Sequence, residues 1–148
     1  MMETLQTVLT EIINALEELD AIMMAEVNQL ERPQINPVAL QVLTDGKSKL
    51  LASLQHYDEK RLQHESHSGN AAPYPHQVQL FVLWQRITER VRRAQTLNIE
   101  VESRLQNHLK KNQQLQKVVD QVGNIQTIYD PSGQSHQGPA SNKYDISV

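Results

Sequence analysis

From residue 80 onward, apolar side chains recur at alternating steps of four and three. The series is Leu80, Trp84, Ile87, Val91, Ala94, Asn98, Val101, Leu105, His108, Asn112, Leu115, Val119 and Val122. Ten of these thirteen positions are apolar, over six heptads. A period of 3.5 held for that long requires a long α-helix with one stripe lying against other helices, in the manner of a coiled-coil seam. The three polar exceptions, Asn98, His108 and Asn112, fall in the C-terminal half. A polar seam residue lowers stability but can fix register or satisfy a polar group on a partner.

Breaks elsewhere divide the rest of the chain. Pro33 stops a first helical pattern near Arg32, and Asn36-Pro37 restarts it with a capping Asn and a Pro suited to the first helical position. His67 to Pro75 reads as a linker, with Pro75 able to open the third helix. Gly123-Asn124 suits the left-handed position past a helix end. The first segment carries Leu5, Leu9, Ile12, Leu16, Leu19, Met23 and Leu30, widened by Val8, Ile13, Ile22 and Val27. That broad stripe is a buried helix face. The second carries Leu40, Leu43, Leu50, Leu54 and Tyr57, with Gly46 inside it at a cost of about 1 kcal/mol. The expected fold is all-α: an antiparallel, coiled-coil-like bundle of helices 3–32, 37–66 and 76–122. It forms one domain over residues 1–123, followed by a flexible tail at 124–148.

Length then becomes an argument. At 1.5 Å per residue the first two helices each span roughly 45 Å and the third roughly 70 Å, so the third overhangs by roughly 25 Å. The overhang begins near residue 105. Leu105, His108, Leu109, Asn112, Leu115, Val118, Val119 and Val122 lie there, an apolar stripe with polar insertions and no obvious partner in the same chain. Exposed apolar stripes mark binding sites. The competing expectations are that the first helix continues beside it or that the chain dimerises there.

Several function classes find no support. Cysteine is absent, which removes disulfides and thiolate metal sites. The net charge of −3 is the opposite of what phosphate neutralisation needs, so nucleic acid is not an expected partner. The apolar run Leu80 to Trp84 is too short to span a bilayer. No basic segment leads into an apolar stretch near Met1, so a secretory signal is not expected. His64 and His67 lack companions at ligand spacing. Arg86, Arg90, Arg92 and Arg93 read as a charged helix face. No phosphate loop, nucleophile elbow or metalloprotease motif occurs, so neither catalysis nor a cofactor is expected.

The tail adds specificity. Ile128-Tyr129-Asp130-Pro131-Ser132-Gly133-Gln134-Ser135 and the ending Ile146-Ser147-Val148 resemble the end of FlgN proteins from enteric bacteria. Ala25-Glu26, Gln29-Leu30, Gln34-Ile35-Asn36 and Lys47 to Leu54 resemble the first two helices of that family, and Trp84 to Glu89 with Leu97-Asn98 its third. The resemblance covers nearly the whole chain. It implies a cytoplasmic chaperone of flagellar type III secretion that holds the C-terminal segments of the hook-filament junction proteins FlgK and FlgL. Substrate binding would fall in the C-terminal helical region. It further implies docking on the cytoplasmic domain of the export gate protein FlhA through Tyr129, which Ile125 and Ile128 flank. A self-associating structural coiled coil, such as a homodimer, is the alternative. A regulator acting on RNA would need a basic stripe that the chain lacks.

Overall fold

The structure, a computed structural model, describes residues 3–120 and 146–148. Three helices account for most of them: α1 (Leu5–Leu30), α2 (Pro37–Ser68) and α3 (Val78–Asp120). Each boundary has a local cause. Thr4 Oγ1 accepts from the Thr7 N–H at 3.1 Å and starts α1. Asn36 Oδ1 accepts from the N–H groups of Val38 and Ala39, with Pro37 in the first turn, where its missing N–H is no loss. Gly69 closes α2 at φ 77, a conformation that costs glycine nothing, and its N–H donates to the Glu65 carbonyl.

α3 begins at Val78 and not at Pro75. The residues after Pro75 are used in a turn. Tyr74 sits at φ 58, its carbonyl accepts from the Gln77 N–H at 3.2 Å, and the first helical bond runs from the Phe81 N–H to the Gln77 carbonyl. The segment read as a linker is therefore an ordered corner, in which the Ala72–Pro73 peptide is cis. Tyr74 is buried, meets Trp84 edge-on at 5.9 Å and donates its hydroxyl to Glu65.

α1 is the central element. Val8, Leu9, Ile12, Leu16, Leu19 and Met23 are buried on a face wide enough to take a helix on either side. α2 and α3 each pack along α1, but their backbones do not approach one another closely. The ion pairs give the directions. Glu3 pairs with Lys60 and Glu26 with Lys47, so α2 runs opposite to α1. Glu17 pairs with Arg90 and Glu31 with Arg104, so α3 runs along it.

α2 buries little of itself, chiefly Leu54 and Arg61. Its stripe at steps of three and four runs through Leu43, Lys47, Leu50, Leu54, Tyr57 and Arg61, placing two cations at inward positions. Both are matched. Lys47 Nζ lies 3.2 Å from the buried Glu26 carboxylate and donates to Asn98 Oδ1 at 2.7 Å, tying the three helices at one level. Arg61 donates to Asp58 and to Glu65, both at 2.6 Å, and its guanidinium stacks 4.8 Å from the Trp84 ring centroid. Burial works against the Arg61 charge, but the two carboxylates outweigh it and hold the guanidinium firmly protonated.

Candidate protein-binding surface

The seam of α3 changes character along its length. Leu80, Trp84, Ile87, Ala94, Leu97 and Val101 are buried. Beyond Val101 the burial ends: Leu105 is 38% exposed and Leu115 65%, Asn112 is exposed, and His108 and Leu109 are half-buried. The cause is the end of α1 at Leu30. His108 stands at that end and donates from Nε2 to the Leu30 carbonyl at 2.7 Å, satisfying one of the carbonyls that a helix terminus leaves open. Arg104 reaches Glu31 at 3.3 Å and Glu100 at 3.0 Å beside it.

Past that point a different wall takes over. Pro33, Ile35, Pro37 and Leu40, from the α1–α2 corner, face His108, Asn112 and Leu115 across a shallow open groove. Beneath it lies a small apolar cluster of Val27, Leu30 and Val101 with Ile35 and Leu40, distinct from the main core. Of the stripe expected from residue 105, His108, Asn112 and Leu115 line this groove, and Leu105 and Leu109 lie outside its lining. Val118 and Val119 belong to α3, but their side chains lie outside the description. Val122, Ile125, Ile128 and Tyr129 lie outside the described residues. The corner wall was not among the residues selected from the sequence. Its signals were Ile35 between Pro33 and Pro37, a segment that reads as a helix break, and Leu40, which reads as part of the α2 stripe.

Other candidates resolve into structural duties. Arg86 and Arg90 lie 3.7 and 3.8 Å from Glu17, and Arg93 is paired with Asp20, so α1 answers much of the basic face. His67 donates from Nδ1 to the Gln63 carbonyl one turn earlier. No group of three His, Asp or Glu side chains suited to a metal ion occurs among the described residues. No described helix is long and apolar enough to cross a membrane.

These features define a class: an all-α protein of three helices whose longest helix carries an apolar seam beyond the end of the core. The comparisons with known proteins narrow it. The family model described as FlgN protein matches residues 1–137, and the chain belongs to the FlgN family. It is 33% identical over 131 residues to the flagella synthesis protein FlgN of Yersinia enterocolitica, covering 88% of each chain. It is 31% identical over 140 residues to that of Salmonella typhimurium, covering 93% of this chain and 96% of the other. The Escherichia coli K12 protein is 28% identical over the same length. No solved structure matches the chain. Membership of this family places the protein in flagellar assembly.

Proposed function

We propose that the chain is a cytoplasmic, non-catalytic export chaperone of the flagellar type III pathway. It captures the C-terminal helical segments of the hook-filament junction proteins FlgK and FlgL and delivers them to the export gate. The observation that carries the reading is the seam of α3, buried up to Val101 and open from Leu105. An amphipathic helix laid into the groove would cover Leu105, Leu109 and Leu115 with its apolar face, in the helix-in-groove mode. Val118, Val119 and Val122 would continue the contact. Asn112 gives the floor a polar group for a partner's backbone or side chain. The groove is shallow, which fits a carrier that must release its cargo: transient interfaces are smaller than obligate ones.

Docking at the gate is assigned to Tyr129 with Ile125 and Ile128, by resemblance to the family. The partner is the cytoplasmic domain of FlhA.

The test is titration of the full chain with the C-terminal segments of FlgK and FlgL. Leu115→Asp puts a charge where a partner's apolar face would lie, yet its site is mostly exposed, so the helices should stay intact. Binding is expected to weaken at least tenfold, a change of about 1.4 kcal/mol. Native affinity in a fully helical Leu115→Asp variant would contradict the assignment. Tyr129→Ala is expected to leave this binding unchanged while lowering affinity for the FlhA domain.

A further inference from the structure

Because α1 stands between α2 and α3, the backbones of the two outer helices stay apart and side chains bridge them. Among the described residues, Lys47 bridges to Asn98 at one level and Arg61 to Trp84 at another. Leu54 lies one heptad from both bridges on α2, and Val91 one heptad from both on α3. Between the bridges the outer helices leave a cleft. Its α2 wall is Leu51, Leu54, Gln55, Asp58 and Glu59.

Ile146, Ser147 and Val148 lie in the cleft and line an open hollow opposite these α2 residues. Ile146 and Val148 pack against the main core, while Ser147 between them is exposed. This in–out–in alternation is that of an extended strand. Gln95 of α3 donates from Nε2 to the Ser147 carbonyl at 2.7 Å, fixing the backbone as well as the side chains. Chain length allows the return. Residues 121–145 can reach roughly 80 Å when extended, whereas Gln95 stands roughly 38 Å back along α3 from Asp120.

We propose that the α2–α3 cleft is a peptide-docking site for a short extended apolar–small–apolar segment, and that its resident ligand is Ile146-Ser147-Val148 of the same molecule. The tether supplies this ligand at an effective concentration of about millimolar, so weak intrinsic affinity is enough to keep the cleft closed. Releasing the segment uncovers Leu51 and Leu54 and opens a second apolar surface, separate from the groove at Leu115. The inference is independent of the identity of the chaperone's cargo.

The experiment uses the full chain carrying Ile146→Asp and Val148→Asp, and a fluorescent synthetic peptide of residues 140–148 as the probe. The peptide is expected to bind this variant at least about tenfold more tightly than the native chain, whose cleft is already occupied. Amide shifts on binding are expected at Leu51, Leu54 and Gln95. Equal binding to both proteins, no binding to a helical variant, or shifts confined to other residues would overturn the proposal. Gln95→Ala added to the double variant removes a contact that the peptide makes through its Ser147 carbonyl, and should weaken peptide binding several-fold relative to the double variant alone; unchanged affinity counts against the site. Sedimentation of the native chain checks the cis assignment. A monomer is expected, whereas a dimer that the double variant dissolves would put the segment in a second copy and contradict it.

Discussion

Tyr74 shows how much one side chain can carry in a small bundle. Its ring packs on Trp84, its hydroxyl bonds Glu65, and Glu65 in turn holds Arg61 and the Ala72 N–H. Burial first, and then the hydrogen bond to Glu65, push its ionisation well above the usual tyrosine value of about 10. The sign follows from linkage. Below pH 10 the hydroxyl is protonated in both folded and unfolded chains, and its stabilising contribution is fully present. Above that the unfolded chain loses the proton while the folded one keeps it, so stability falls. Urea unfolding at pH 8 and pH 11 should show a marked loss for the native protein. The loss should be smaller in Tyr74→Phe, which is itself destabilised by about 1 kcal/mol at pH 8. An identical alkaline loss in both would remove Tyr74 from the account.

Lys47 and His108 argue at the same scale. Lys47→Met leaves Glu26 buried without its cation, and breaking a buried pair from one side costs about 3–5 kcal/mol. Glu26→Gln with Lys47→Met should recover much of that, because the lone charge is gone. Thermal unfolding of the three variants reads the difference, and additive losses would contradict a coupled pair. His108 is better placed to position α3 against the end of α1 than to contact a partner alone, since its Nε2 already serves the Leu30 carbonyl.

The elements were legible to different degrees. α1 was plain as a helix with a broad buried face, because its apolar residues recur so densely; that the face takes a helix on either side came only with the structure. The seam of α3 was also plain, and the point where it opens was legible from length alone: helix propagation is regular, so the end of α1 fixes where cover stops. α2 was harder. Its inward positions include Lys47 and Arg61, and a pattern read by hydrophobicity skips both. Their partners, Glu26, Asn98 and Trp84, lie on other helices, which no local spacing reveals. The corner at Ala72–Tyr74 failed for a similar reason: proline and glycine signal a turn, but not that a tyrosine in the turn is core. The groove wall at Pro33, Ile35 and Leu40 combines a helix break with a helix stripe, and neither half reads as a surface.

Gly46 gives the element scale a sharp test. A Cβ there would stand 3.2 Å from Ile22 Cδ1, the mobile tip of its side chain. Gly46→Ala gains up to about 1 kcal/mol of helix propensity against slight crowding that Ile22 can relieve, so its thermal midpoint should change little. Gly46→Leu must push α2 off α1 and should lose about 1–3 kcal/mol. Thermal unfolding of the pair measures how closely the helices approach, and equal stability of Leu and Ala variants would mean that the approach is loose.

At the scale of the whole molecule, the architecture divides labour. The half of the bundle around Trp84, Arg61 and Tyr74 is sealed by aromatic and ionic contacts. The other half rests on the small cluster of Val27, Leu30 and Val101, and beyond it α3 continues with Leu105 and Leu115 exposed. A protein made only for stability would have little use for a seam that outlasts its cover, since exposed apolar surface is unfavourable by about 25 cal/mol per Å². A protein made to hold and release another helix needs that surface. The family of the chain places the protein in flagellar assembly, and the proposed cargo is the pair of junction proteins.

The most direct test of the central claim is co-purification of the full chain with the C-terminal segments of FlgK and FlgL, followed by mass determination of the species in solution. The expected result is a defined complex, with a smaller share of the chain in complex for Leu115→Asp while its helices stay folded. A homodimer that survives dilution and binds neither segment would contradict it, and would assign the open seam of α3 to self-association.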